Sequence, residues 1–255
     1  MKVVISPAYN YLESFINAIP RGEYPCEKVF CNHRNTVELV RVGEQRFVVK
    51  KFKRPTIANC IIYTWFRKNK AQHAWENAYL FQKLGLETAN PVAYIVCKKY
   101  GFFHTAWFIS DYLPYPNIEE VFLSCETKEE KESLMNAFVE YTLHLHELGI
   151  VHRDYNKGNI LVHKEADGFH FAMIDINRLW FIKNPNVQLS MRSLLILKMS
   201  DEAKEMFLQK YAEKRGFNVE DCQRDLHQFE HYKTFRHQIK TALKRLIKKD
   251  PSPIQ

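Results

Sequence analysis

The amino-acid sequence predicts an α+β chain in two lobes: a small antiparallel-sheet lobe at the N-terminal end, then a mainly helical one. Two observations carry this. Residues 28 to 53 alternate apolar and polar side chains in three short runs, the period of half-buried strands. Beyond residue 114, apolar positions recur at helical spacing. With 255 residues, 46% of them hydrophobic, the chain can build a sizeable core.

The three runs are Lys28-Val29-Phe30-Cys31, Val37 to Val42 and Arg46 to Phe52, with Gly43-Glu44-Gln45 as the hairpin turn between the last two. From Thr56 the period becomes helical. Ile61, Ile62, Trp65 and Phe66 share one face, Ala74, Ala78 and Phe81 another, and Gly85 is the stop. Strand-like runs at Val92 to Cys97 and Thr105 to Ile109 complete an expected five-stranded sheet. Residues 1–110 form the N-terminal lobe in this reading, 111–114 (Asp111-Tyr112-Leu113-Pro114) the hinge, and 115–255 the C-terminal lobe. Thr127 and Glu130 predict a capping box for a helix with core positions Leu134, Phe138, Tyr141, Leu145 and Leu148, closed by Gly149. Three more helices are expected around Leu194, Leu195 and Leu197, around Met206, Phe207 and Tyr211, and from Phe229 through Phe235 and Ile239 to Leu246.

Composition removes several function classes. The six cysteines include no C-x-x-C pair, which argues against a zinc site and a disulfide framework and points to a reducing cytosol. Pro7 interrupts the first residues before a signal-peptide core could form, and no run reaches the ~18 apolar residues of a membrane span. The chain is therefore expected to be cytoplasmic. A net charge of +8 suits ATP, nucleic acid or an anionic membrane, and nucleic acid has only that charge in its favour.

The chemistry is concentrated at residues 152 to 159, His-Arg-Asp-Tyr-Asn-Lys-Gly-Asn, followed by Ile160-Leu161-Val162 and then Met173-Ile174-Asp175. This is the H-R-D-x-x-x-x-N pattern of a kinase catalytic loop with a second acidic residue on the next strand. In that chemistry an Asp accepts the proton of the attacking hydroxyl, while an Asn and a second Asp hold the Mg²⁺ of ATP. Asp154, Asn159 and Asp175 fit the three roles. A kinase also needs a cation on the ATP phosphates and a carboxylate to fix it. Lys50, in Val48-Val49-Lys50, and Glu76, on the following helix, form the expected ion pair. Lys51 is the alternative cation; Lys50 is preferred because Val48, suited to line the adenine, then shares its side of the strand. Main-chain groups of Asp111, Tyr112 and Leu113 are expected to bind the base. No G-x-G-x-x-G is present, so the turn Cys31 to Thr36, with Arg34, is the expected phosphate cradle. Asp175 is followed by Ile176-Asn177, and no A-P-E follows, so neither a long phosphorylatable segment nor the usual partner of Arg153 is expected.

At these residues the chain resembles the lipopolysaccharide kinases of the Kdo/WaaP family, within the protein-kinase-like fold. The likeness runs over roughly residues 28 to 200, through Phe47 to Pro55, Ile61 to Lys68, the Glu76 helix, the catalytic loop and Ile174-Asp175-Ile176-Asn177-Arg178. The resemblance implies ATP- and Mg²⁺-dependent phosphorylation of a sugar hydroxyl, Kdo or heptose, of the lipopolysaccharide inner core at the cytoplasmic face of the bacterial inner membrane. The partners it implies are ATP and a lipid-linked sugar or other small hydroxyl acceptor. An atypical protein kinase and a pseudokinase scaffold are the competing readings. The face of Ile61, Ile62, Trp65 and Phe66, with Arg67, Lys68 and Lys70 beside it, could rest on an anionic membrane, or pack on the sheet.

Overall fold

The structure, a computed structural model, describes residues 1–32, 35–194 and 199–248. In chain order the elements are β1 (Lys2–Ile5), α1 (Glu13–Ala18), β2 (Cys26–Asn32), β3 (Asn35–Val42), β4 (Gln45–Phe52), α2 (Ile57–Trp65), α3 (Lys70–Lys83), β5 (Pro91–Lys99) and β6 (Phe102–Asp111). They continue with α4 (Ile118–Ser124), α5 (Lys128–Glu147), β7 (Ile150–His152), β8 (Ile160–Glu165), β9 (Gly168–Met173), β10 (Leu179–Phe181), α6 (Val187–Leu194), α7 (Asp201–Arg215) and α8 (Val219–Lys248). Residues 1–118 and 158–179 form one compact unit, and 119–157 with the chain from 180 onward form the other. The β8–β9 hairpin, assigned to the C-terminal lobe from its place in the sequence, thus belongs by its contacts with the first unit.

The first unit is built on an antiparallel sheet of order β1-β5-β6-β4-β3-β2. It has six strands where the sequence reading gives five, because Lys2–Ile5 pairs with Val96 to Ala93 along the edge of β5. Alternation along β4 divides two cores. Phe47 and Val49 point to one face, into a cluster with Leu12, Ile16, Ile19, Trp107 and Ile109. Phe52 points to the other, with Ala71, Tyr94, Val96 and Ala106, where α3 packs. The β5–β6 hairpin turns through Tyr100 and Gly101, both at positive φ (53° and 82°), as a tight hairpin of right-handed twist requires. A full capping box starts α3: Asn69 Oδ1 accepts from Ala71 N and Gln72 N, and the Gln72 side chain accepts from Asn69 N at 3.1 Å. At α5 the box is displaced by one residue. Thr127 Oγ1 accepts from Glu130 N, but the Glu130 carboxylate reaches the N–H of Glu126.

In the second unit α5 packs on α7, and α8 on α6 and α7. Leu134, Phe138 and Leu145 of α5 are buried, and Phe138 meets Phe207 at 4.9 Å between ring centroids. Leu195 and Leu197, read as helical, lie outside the described residues. The helix expected from Phe229 to Leu246 lies within α8, on which Cys222 is fully buried while Phe235 and Ile239 are exposed. All six cysteines are free thiols. Among the described residues, no helix is long and apolar enough to cross a membrane.

One buried polar pair in this unit has a pH consequence. His146 of α5 is 3% exposed, and its Nδ1 lies 2.7 Å from the hydroxyl of Tyr211 on α7. Burial, with the Arg215 charge adding to it, pushes the imidazole pKa down to about 4. The unfolded chain therefore binds a proton below its ordinary value of 6.5 that the folded chain refuses until about pH 4. Stability from this site is complete above pH 6.5 and is lost as the pH falls toward 4, by on the order of 3 kcal/mol. Urea unfolding at pH 7 and pH 4.5 should show this loss. A His146→Gln variant, which cannot titrate there, should have a flatter profile; parallel profiles would exclude the assignment.

Candidate active site

Within the first unit, β4 and the β8–β9 hairpin bring together three sequence-predicted residues. Hairpin pairing runs from Glu165↔Gly168 to Ile160↔Met173 and is extended by Ile174 N donating to Asn159 O at 2.9 Å. Asn159 and Asp175 therefore leave the same end of the hairpin. Asp175 adopts the left-handed region (φ 57°), which a non-glycine residue occupies at a cost of about 1 kcal/mol or more. There its carboxylate meets Lys50: Nζ to Oδ1 is 2.5 Å, with the lysine side chain only 13% exposed. Asn177 donates from Nδ2 to the same Oδ1. Its own carbonyl oxygen is buried with no hydrogen-bond partner, an oxygen donor left over beside a carboxylate.

The segment carrying Asp175 is pinned from two sides. Thr88 Oγ1 donates to Met173 O (2.7 Å), and Met173 N donates to Glu87 O (3.0 Å). From α3, Asn77 Nδ2 donates to Ile176 O at 2.6 Å. This corrects the expected Lys50–Glu76 ion pair. Lys50 is engaged by Asp175, while Glu76 pairs with Lys68 at 2.7 Å on the exposed side of α3. The reason is helical phase: Ala71, Ala74, Ala78 and Phe81 define the buried face of α3, Asn77 falls on it, and Glu76, one residue earlier, is turned about 100° away. Of the two lysines, Lys50 shares its side of β4 with Val48, and Lys51 lies on the other side, its Nζ 5.5 Å from the Trp107 ring.

At the end of β6, Asp111 and Tyr112 are already engaged. Asp111 Oδ2 accepts from Tyr9 (2.5 Å) and from Asn90 Nδ2 (3.0 Å), and its N–H donates to Asn90 O. Burial first, then the bond to Asp111, raises the Tyr9 phenol well above its usual value. Tyr112 N donates to Arg46 O, and its ring stacks on Phe30. Asp111 and Tyr112 thus spend their N–H groups inside the unit. Leu113, half-buried, follows them. His33 and Arg34 of the expected phosphate turn lie outside the described residues.

The second unit holds the first half of the catalytic loop. After β7, Asp154 N donates to His152 Nδ1 at 3.1 Å, and Asn156 donates from Nδ2 to Asp154 Oδ1 at 3.2 Å. Tyr155, 3% exposed, anchors the loop by stacking on Phe138, and its hydroxyl is 2.7 Å from Thr142 Oγ1. That burial raises its pKa far above 10. Arg153 lies over the Trp180 ring at 4.7 Å. Lys157 pairs with Glu119 at 3.7 Å, and Glu119 also accepts from Ser200 N.

A family model described as the lipopolysaccharide kinase (Kdo/WaaP) family matches residues 34–232. The chain belongs to this family. It is accordingly a phosphotransferase of the lipopolysaccharide kinase class, whose donor is a nucleotide. Among solved structures, one described as "WaaP in complex with acyl carrier protein" matches at 18% identity with a TM-score of 0.60, covering 92% of this chain and 99% of that one. That likeness gives the family member its protein-kinase-like fold. No curated protein matches the sequence.

Two residues of this lipopolysaccharide kinase escaped the sequence reading. Asn77 had a signal, since its spacing from Ala74 and Phe81 places it on the buried face of α3. Asn177 stands in the quoted motif but was given no role there. The oxygens of Asp175, Asn159 and Asn177 are hard donors of the kind Mg²⁺ prefers, and the buried Asn177 side-chain oxygen, which has no hydrogen-bond partner, fits that role.

Proposed function

We propose that the chain transfers the γ-phosphoryl group of ATP to a sugar hydroxyl, of Kdo or heptose, in the lipopolysaccharide inner core, working at the cytoplasmic face of the inner membrane. The observation that carries this reading is the ion pair of Lys50 with Asp175 beside the unpartnered Asn177 carbonyl, in a chain of the lipopolysaccharide kinase family. Asp154 orients the acceptor hydroxyl and takes its proton as the new O–P bond forms and the bond to the β-phosphate oxygen breaks, releasing ADP. Lys50 neutralises the α/β-phosphates. Val48 forms the apolar wall for adenine, and the base hydrogen-bonds the main chain of Asp111 to Leu113. Because the N–H groups of Asp111 and Tyr112 are committed, this falls to Leu113 and the carbonyls. Asn159 and Asp175, with Asn177, hold Mg²⁺, which when bound offsets the charge developing on the phosphate oxygens. Asp175 takes the place beside Lys50 that the sequence reading gave to Glu76, and Asn77 fixes the segment that carries it.

The test is phosphoryl transfer from ATP to purified inner-core oligosaccharide, read by mass spectrometry as the gain of one phosphate. Lys50→Met should lower the rate about 10²-fold, the usual loss for one electrostatic donor, while Lys51→Met stays within about twofold. Label on the chain itself or on a protein, with none on sugar, would favour an atypical protein kinase. Nucleotide binding without transfer to any acceptor would favour a scaffold.

A further inference from the structure

One apolar side of α2 is left exposed. Cys60 is buried, Thr64 Oγ1 accepts from Phe103 N at 2.8 Å, and Tyr63 meets the Phe103 ring at 5.5 Å, so the inner side of α2 is fastened to β6. Ile57, Ile61 and Trp65, four residues apart, form the outer side and are exposed, with Phe66 following at 77%. Of the face expected either to rest on a membrane or to pack on the sheet, Ile62 is half-buried while Ile61, Trp65 and Phe66 are exposed, and the sheet takes the side of Cys60 and Thr64. The tip of the β5–β6 hairpin extends the patch. Tyr100 is 88% exposed, Phe102 lies edge-on to Trp65 at 5.3 Å, and Ile57, Ile61, Tyr100 and Phe102 surround one open cavity of about 440 Å³.

The charge around this patch is predominantly positive, although Lys68 is paired with Glu76. Residues 53 to 75 contain Lys53, Arg54, Arg67, Lys68 and Lys70 with no Asp or Glu, and residues 88 to 110 contain Lys98 and Lys99, again with no Asp or Glu. Arg54 and Lys99 line the cavity itself. Exposed Trp, Tyr, Phe and Ile bordered by Lys and Arg combine the two terms that hold a protein on a bilayer surface: burial of apolar tips among acyl chains and attraction to anionic headgroups.

We propose that α2 and the β5–β6 tip form a docking face for an anionic lipid bilayer. None of the residues that line the cavity is assigned to phosphoryl transfer, and the proposal rests on the functional reading only in saying how the enzyme meets a lipid-linked acceptor. It is testable without nucleotide or acceptor, so its failure would leave the transfer assay untouched.

The experiment is co-sedimentation of the full chain with phosphatidylethanolamine/phosphatidylglycerol vesicles against phosphatidylcholine vesicles. Binding should be confined to the anionic vesicles, weaken with salt, and fall about tenfold or more in Trp65→Ser/Phe66→Ser. Lys98→Glu/Lys99→Glu should reduce it by a similar factor from a different element. Because these side chains are exposed, the variants should keep the far-UV circular dichroism of the parent; Tyr100→Ser, on the hairpin, serves as a second apolar probe should Trp65→Ser/Phe66→Ser misfold. Equal binding to both vesicle types, or folded variants that bind like the parent, would overturn the proposal. So would a self-associating parent that ignores vesicles and becomes monomeric in Trp65→Ser/Phe66→Ser, which would make the face an interface between copies.

Discussion

Asp154→Asn should give a folded protein that binds ATP normally and transfers phosphate about 10²–10⁴-fold more slowly, the range lost with a positioned general base. The substitution is nearly isosteric. The main-chain bond from Asp154 N to His152 Nδ1 is untouched, and the amide can still accept from Asn156, so the loop held by Tyr155 keeps its shape. What disappears is the proton acceptor. The loss should therefore fall on kcat, with the KM for ATP changed little, because the residue acts on the acceptor hydroxyl. A rate within tenfold of the parent would remove Asp154 from the chemistry. A loss confined to KM would make it a binding residue.

How much of this was legible in the sequence depends on the period of the signal and on whether a partner had to be known. The strands β2 to β6 run over seven to ten residues, long enough for alternation in residues 28 to 53 and for the apolar run of β5 to stand out, and the turns at Gly43 and Gly101 punctuate them. Strand β1 has only four residues before Pro7, too few for a period to show, and it exists because the edge of β5 is there to pair with it. The His152 to Asn159 motif and Asp175 stood out because the proposed chemistry calls for those residue types at that spacing, and the register of Lys50 followed from Val48 on the same side of β4.

Phase and partnership were harder to read. Seeking a carboxylate for Lys50 led to Glu76, although the Ala71, Ala74, Ala78, Phe81 spacing puts Asn77 on the buried side of α3. The cation instead took the carboxylate at the hairpin end, Asp175. On α2, residues Ile57, Cys60, Ile61, Ile62, Tyr63 and Trp65 leave no polar face, so periodicity alone could not say which side the sheet would cover. Tyr155 sits inside the motif without being specified by it, and its anchoring role needs Phe138 and Thr142, which only the fold brings near.

Asp175 combines the largest expected functional effect with a separable cost to folding. Asp175→Ala and Asp175→Gly both remove the carboxylate that engages Lys50 and would hold Mg²⁺, and both should lower phosphoryl transfer by about 10³-fold or more, a loss of several kcal/mol of transition-state charge stabilisation that added Mg²⁺ does not restore. Their stabilities should differ. At φ 57° alanine carries the same Cβ conflict as aspartate, whereas glycine does not, so Asp175→Gly should be more stable than Asp175→Ala by about 1 kcal/mol. Both leave Lys50, 13% exposed, without its partner, so that penalty cancels in the comparison. Denaturant unfolding of the two variants measures the backbone term, and transfer assays over a range of Mg²⁺ measure the functional one. Equal stabilities would show that the left-handed conformation costs nothing at this position. Activity within tenfold of the parent in either variant would take the metal away from Asp175. The expected pair, a glycine variant that folds better than its alanine counterpart and is equally inactive, would mean that the chain tolerates a strained aspartate at the end of β9 because the carboxylate is needed there.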